Sequence, residues 1–206
     1  DPRRVRAAIV TCGGLCPCLN NVIRELTLSL HNLYGVERVL GVRGGFRGLT
    51  ADDDQAEGGG RNRNAGVVEL TIERVSRIHT FGGTILGSSR GGFDAARILR
   101  ALRRHRINQL YVIGGDGTHR GAHRLHLACL GEARAGRLWP VSVVGIPKTI
   151  DNDIDLIDRT FGFYTAVEHA LAAVRAAKTE ALCNKPNGIG VVKLMGRSAG
   201  FIAAHA

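Results

Sequence analysis

Residues 109–121 read QLYVIGGDGTHRG, and how this stretch is read decides the fold. Gln109 to Ile113 is apolar, β-branched and aromatic, so it reads as the end of a buried strand over Ile107–Ile113 that stops at Gly114. Three glycines then surround one carboxylate, Asp116, and Thr118 reads as the start of a helix to about Leu130. Strand, glycine turn and helix form the opening of a β-α-β unit, and the same alternation runs outward in both directions. Val5 to Thr11 reads as a first strand, then the turn GGLCPCLN, then a helix capped by Asn20 that runs to about Tyr34 and ends at Gly35. A second strand is expected at Val36–Val42, a helix near Val68–His79, and a helix capped by Asp94 through about Arg104. Trp139–Val144 reads as a strand and Thr165–Ala181 as a helix. Ile189–Met195 reads as a last strand, and Gly196-Arg197-Ser198 opens a helix. Residues 51–66, acidic then glycine-rich then basic, read as a surface loop or insertion. The expected fold is α/β, a Rossmann-like parallel sheet flanked by helices.

Composition limits the function classes. The chain has 206 residues, 44% of them hydrophobic, enough for one soluble domain with a sizeable core, and no interdomain linker is visible. No apolar run approaches the roughly 18 residues of a membrane span and no secretory h-region is seen, which gives an intracellular, cytoplasmic reading, with a plastid as the alternative because a plastid address would lie upstream of Asp1. The chain begins at Asp1 and stops inside an apolar, helix-like stretch, so it reads as a fragment. The formal charge of +10 is spread over scattered arginines with few aromatic neighbours, which argues against nucleic acid and leaves two readings, a solvated basic surface or arginines that meet phosphorylated substrates. Five cysteines without a secretory signal argue for reduced thiols. Cys12, Cys16 and Cys18 lack a second ligand pair for zinc, and His119, His123 and His126 lack the Glu of a zinc-binding helix.

Chemistry collects at the strand ends. TCGGLCPC, GGDGT and LMGRSAG follow predicted strands, and in an open parallel sheet the carboxyl ends form one ligand-binding edge. Backbone N–H groups and helix N-termini there attract an anion, and glycine lets the backbone approach it. No GxxxxGK[ST] and no GxGxxG is present, which excludes a P-loop protein and disfavours a nicotinamide one. An acid among phosphate-binding amides makes sense if a cation lies between them, and magnesium is the natural candidate at Asp116; the plainer reading is a turn former or helix cap. Residues 145–155, GIPKTIDNDID, supply further acids: on an extended backbone Thr149, Asp151 and Asp153 share one face, with Lys148 beside them. One carboxylate can take a substrate hydroxyl's proton while another organises metal or water. Arg90 and Arg197, in glycine-flanked turns, suit phosphate oxygens. The residues therefore point to phosphoryl transfer from a magnesium-bound donor to a hydroxyl.

In order along nearly the whole chain, TCGGLCPCLNNVIR, GGFRG, GGTILGSSRGG, VIGGDGT, GIPKTIDNDI, FGFYTAVE and GIGVVKLMGRSAGF resemble the phosphofructokinase family, and GGDGT combined with PKTIDND resembles its plant-type ATP-dependent branch. NAD kinases share a GGDGT-like turn but not the PKTIDND run. The resemblance implies transfer of the ATP γ-phosphoryl to the 1-hydroxyl of fructose 6-phosphate in glycolysis, with Mg2+ as cofactor and a homo-oligomeric full-length enzyme. It implies Asp151 as general base, with Asp153 and Arg197 supporting catalysis, and Asp116 as magnesium ligand. It implies Gly14, Arg90, Gly91, Gly115, Gly117 and Thr118 as nucleotide contacts, and Thr149, Ile150, Met195, Gly196 and Arg197 lining the sugar phosphate. Gly117 points to ATP, since pyrophosphate-dependent relatives usually carry an aspartate there; Lys148 points the other way. A pyrophosphate enzyme and a non-catalytic regulatory subunit are the alternatives. Cys18 stands where the family usually has glycine, and a Cβ there strains the turn if φ is positive. Gly188 replaces an arginine of bacterial members. The family's second half, which completes the sugar-phosphate site, lies outside these 206 residues, so the isolated chain is expected to be inactive.

Overall fold

The computed structural model describes residues 1–56, 66–155, 157–184, 186, 188–196 and 200–206. They form two compact units, Asp1–Pro147 and Lys148–Ala206. In the first unit, β1 (Arg6–Thr11), β2 (Arg38–Arg43), β3 (Gly66–Glu69), β4 (Gln109–Gly114) and β5 (Ser142–Pro147) form a sheet of order β3-β2-β1-β4-β5. β1 is parallel to both β2 and β4, and β4 is parallel to β5, while β3 is antiparallel on the β2 edge. The α/β expectation holds, with an antiparallel edge strand added.

β1 and β4 are continuous apolar runs because helices cover both faces of the sheet. Ala8 and Val10 of β1 and Leu110 and Val112 of β4 pack in one core with α2 (Phe46–Ala56), α4 (Ala95–His105) and α5 (Asp116–Arg134), through Phe46, Leu49, Ile98, Leu102 and Leu125. The alternate residues Ala7 and Ile9 are equally buried and face the opposite side. On that side α1 (Leu19–Asn32) lies along β2, burying Ile23, Thr27 and Leu30. Each fully buried large aliphatic side chain contributes about 1.5–3 kcal/mol. α4 shows how the sequence writes a helix: Asp94 accepts from the Arg97 N–H at 3.0 Å, four apolar residues are buried, and three basic residues fill the last turn, where they complement the helix dipole.

Several expectations are corrected. Residues 68–79 are not one helix. The β-branched pair Val67-Val68 lies in β3, paired with β2; the chain then makes the single turn α3 (Ile72–Val75), capped by Thr71, and a 3-10 turn at Ile78–Thr80. The 51–66 segment is not a loop throughout, since α2 continues to Ala56 and Gly66 opens β3; residues 57–65 lie outside the described residues. Asn20 does not cap α1. Cys18 is the N-cap residue, and the Asn20 side chain turns inward to the 81–85 segment. α5 starts at Asp116, two residues before Thr118, and β5 starts at Ser142 rather than Trp139.

In the second unit, α6 (Phe163–Cys183) and α7 (Phe201–His205) pack through Phe163, Val167, Ala170 and Ile202, joined by Ile150 and Leu194. The Ile189–Met195 strand is absent among the described residues. Ile189 and Val191 are 87% and 88% exposed, and the run has no neighbouring strand in this unit to satisfy its N–H and C=O groups. LMGRSAG therefore does not follow a strand. No helix among the described residues is long and apolar enough to cross a membrane.

Candidate active site

β1 leads to β2 on one side and lies beside β4 on the other, so the chain reverses its winding between β1 and β4. Thr11 aligns with Ile113, which brings the turns after the two strands side by side on one edge. The β1 turn is fixed by backbone bonds: Cys12 N–H donates to Ile113 O at 2.8 Å, and Gly13 N–H to Ser89 O at 3.0 Å. The 84–92 loop lies across this edge. Thr11 Oγ1 donates to Gly87 O at 2.6 Å, Ser88 Oγ to Gly13 O at 2.7 Å and Ser89 Oγ to Gly44 O at 2.6 Å, while Gly44 N–H donates to Leu86 O at 2.8 Å. An Arg90 guanidinium nitrogen consequently stands 3.9 Å from where a Cβ on Gly14 would be. Gly91 follows at φ +74° in open space. Gly14, Arg90 and Gly91 are thus brought together.

Gly114 ends β4 under Thr118, whose side chain would lie 2.5 Å from a Cβ on Gly114, so only glycine allows this strand to pass directly beneath the helix. Gly115 is the N-cap of α5 and offers no side-chain acceptor to the first N–H groups of the helix, which leaves them directed at whatever anion approaches. Asp116, in the first turn, is exposed and bonded to Arg120, with Nε to Oδ1 at 3.1 Å and a second contact from Nη2 to Oδ2. The Arg120 hydrogen bond holds the Asp116 carboxyl below its ordinary range. At Gly117 no heavy atom lies within 4 Å of an added Cβ. Gly115, Asp116, Gly117 and Thr118 therefore occupy one helical turn beside the β1 turn. One exposed carboxylate next to an anion-binding helix end fits a hard cation held by one or two carboxylates and phosphate oxygens.

In the second unit the TIDND segment is a hydrogen-bonded turn and not an extended run. Asn152 takes φ +51°, a left-handed conformation that asparagine tolerates. Its Oδ1 accepts from Thr160 N–H at 2.8 Å and Thr160 Oγ1 at 3.2 Å, and its Nδ2 donates to Asp158 O at 3.2 Å. Thr160 Oγ1 also donates to Thr149 O at 2.8 Å. Thr149, Asp151 and Asp153 consequently do not share one face. Thr149 Oγ1 donates to Asp153 Oδ1 at 2.7 Å and accepts from Asp151 N–H at 3.1 Å; Asp153 is exposed. The Asp151 side chain is 6% exposed, and its Oδ1 is buried without a hydrogen-bond partner. Lys148 is buried at 6% exposure, Ile150 packs into the α6–α7 core, Met195 and Gly196 are exposed, and Arg197 lies outside the described residues.

Sequence reasoning misses Asn152, Thr160, Ser88 and Ser89, and mistakes Asn20. Their signal is weak because small polar residues are common in loops, and their partners here lie between 6 and 75 residues away.

The phosphofructokinase family profile matches residues 6–206. The chain is 52% identical over 202 residues to ATP-dependent 6-phosphofructokinase 1 of Arabidopsis thaliana, covering 98% of this chain and 39% of the relative. It is 49% identical over 206 residues to the ATP-dependent 6-phosphofructokinase of Trypanosoma brucei brucei, covering 100% and 39% respectively. Its fold resembles the crystal structure of a pyrophosphate-dependent phosphofructokinase from Marinobacter aquaeolei, with a TM-score of 0.76 at 21% identity over 98% of this chain and 48% of that one. The chain belongs to the phosphofructokinase family, and it spans 39% of the length of the two curated relatives just described.

Proposed function

We propose that this chain is the donor-binding and catalytic part of an ATP-dependent 6-phosphofructokinase, which transfers the ATP γ-phosphoryl to the 1-hydroxyl of fructose 6-phosphate. The observation that carries the reading is Asp151, a buried carboxylate with one oxygen left without a partner. A buried acceptor without a partner is costly, and a substrate hydroxyl that donates to it removes that cost. Asp151 then takes the hydroxyl proton as the sugar oxygen attacks the γ-phosphorus and ADP leaves with the bridging oxygen.

The other residues divide by role. Gly14, Arg90 and Gly91 at the β1 edge, and Gly115, Gly117 and Thr118 at the start of α5, bind donor phosphates through N–H groups and a guanidinium. Asp116 would hold Mg2+, which when bound offsets the charge on the phosphates. Thr149 holds Asp153, and Thr149, Ile150, Met195, Gly196 and Arg197 line the sugar phosphate, with Arg197 and Asp153 supporting the transfer. The part of the protein beyond the matched region supplies the rest of the sugar-phosphate site, and the full-length enzyme is read as a cytoplasmic homo-oligomer.

Lys148 supports a second reading, with pyrophosphate as donor. The test is Mg2+-dependent phosphorylation of fructose 6-phosphate by the full-length protein with each donor in parallel. Asp151→Ser should lower kcat about a hundred- to ten-thousandfold while leaving ATP binding near wild type. Wild-type turnover in that variant refutes the assignment.

A further inference from the structure

Arg90 sits on a loop, not on a helix or strand, and the loop is rich in glycine: Gly83, Gly87, Gly91 and Gly92 all have positive φ. Such a segment is costly to hold in one conformation, because glycine loses more backbone freedom than any other residue. It is nevertheless braced at several points. At its base the buried Asn20 amide donates to Phe81 O at 3.0 Å and accepts from Ile85 N–H at 2.9 Å. Thr11 Oγ1 bonds to Gly87 O, and Ser89 Oγ bonds to Gly44 O beyond β2, so these two braces hold the loop to the sheet scaffold.

Ser88 differs in what it holds. Its hydroxyl donates at 2.7 Å to Gly13 O, inside the glycine turn, while the neighbouring Ser89 O accepts from Gly13 N–H. Both polar groups of Gly13 are therefore taken up by Ser88 and Ser89, in register with the Cys12–Ser89 bridge. One residue further along each segment come Gly14 and, after Ser89, Arg90, whose guanidinium stands beside Gly14.

We propose that Ser88 is a positioning residue for the donor-phosphate arginine, acting through Arg90 by tying its loop to the Gly13 carbonyl of the β1 turn. The proposal rests on the reading of Arg90 as a donor-phosphate contact. Ser88 itself touches no reacting atom. Its loss lets the loop sample positions in which the guanidinium no longer faces the phosphates, so the population competent to bind donor falls and the sugar site is unaffected.

The test uses the full-length protein and reads KM for ATP, KM for fructose 6-phosphate, kcat and Tm. Arg90→Ala should raise KM for ATP by about tenfold or more, as expected for loss of a charge-assisted phosphate contact. Ser88→Ala should raise KM for ATP about three- to tenfold, the worth of one neutral hydrogen bond, with kcat and KM for fructose 6-phosphate within about twofold of wild type. Ser88→Ala added to Arg90→Ala should change KM for ATP no further, since the arginine it positions is gone. Ser88→Thr should match wild type and Ser88→Val should not. This pair, equal in shape and differing in the hydroxyl, gives the same readout where the alanine variant is too unstable to assay. A silent Ser88→Ala, full multiplication with Arg90→Ala, or equal behaviour of the Thr and Val variants overturns the proposal. An Arg90→Ala variant with wild-type KM for ATP overturns the reading of Arg90 on which it stands.

Discussion

Replacing Gly117 with aspartate separates what the donor needs from what the fold needs. Gly117 is the second residue of α5, its backbone is not left-handed, and an added Cβ meets no heavy atom within 4 Å. Folding therefore gives no reason for glycine at this position. Aspartate ranks about 0.3 kcal/mol above glycine in helix propensity, and a carboxylate in the first turn gains about 0.3–1 kcal/mol from the helix dipole. Repulsion from Asp116 offsets part of that, so Gly117→Asp should be neutral or stabilising by about 1 kcal/mol, a Tm rise of about 2–4 °C for a chain of this length. ATP should respond in the opposite sense. A carboxylate about 4 Å from a phosphate charge, at an effective dielectric of about 20, costs about 4 kcal/mol, roughly a thousandfold, and Mg2+ screens a fraction of it. We expect kcat/KM for ATP to fall at least about a hundredfold in the full-length protein, with the ratio of pyrophosphate to ATP turnover rising. Gly117→Ala, which adds the Cβ without charge, should lose far less. Steady-state kinetics with both donors beside thermal unfolding decide it. ATP turnover within about threefold of wild type, or a loss that appears only with a fall in Tm, would refute the reasoning.

Two further outcomes concern stability. Cys18 caps α1 at φ +71° and ψ +9°, so Cys18→Gly and Cys18→Ala, which both remove the thiol, should differ by about 1 kcal/mol in favour of glycine in denaturant titration; equal midpoints would mean that the turn is unstrained. Glu132 accepts from Arg137 Nη2 at 2.6 Å and from Arg103 Nη2 at 2.5 Å, and chiefly the Arg137 bonds bring its pKa down from 4.5 to about 2. A folded pKa below the unfolded one means stability that is present above about pH 4.5 and lost as pH falls toward 2. The Tm gap between wild type and Glu132→Gln should therefore be widest at neutral pH and close through that window, and parallel pH curves would contradict the assignment.

The legible part of the sequence is local. β1, β4 and α4 are recognisable from contiguous apolar runs, a cap and a basic last turn, all read within a dozen residues. β3 escapes such a reading because Val67-Val68 is too short to fix a period, and its pairing with β2 joins residues 23–29 apart. The Ile189–Met195 run has strand composition, but a strand exists only where another strand accepts its hydrogen bonds. Asn20 carries a correct local signal, a capping residue before an apolar helix, that loses to partners 61 and 65 residues away. The site residues are legible as types in order, since glycines, acids and arginines at predicted strand ends announce anion chemistry. Their arrangement is not, because it depends on Asn152 leaving the extended conformation, which Thr160 stabilises from eight residues away.

Backbone strain is distributed unevenly among the described residues, and its distribution bears on function. Three residues other than glycine have positive φ: Cys18, Arg106 and Asn152. Arg106 has a purely structural account, because it closes α4 with its N–H bonded to the Leu102 and Arg103 carbonyls, the usual role of a left-handed residue at a helix end. Cys18 and Asn152 have no such account. One stands at the N-cap of α1 beside the β1 turn, the other between Asp151 and Asp153 in the segment that leaves a buried carboxylate oxygen unpartnered. An unfavourable conformation persists only where its surroundings impose it, and at Asn152 the three bonds to Thr160 and Asp158 do so. The same turn keeps Asp151 buried with one carboxylate oxygen unpartnered, while Asp153 is tied to Thr149. Stability alone gives no reason for an unpartnered buried acceptor, and the proposed role of Asp151 as proton acceptor supplies one.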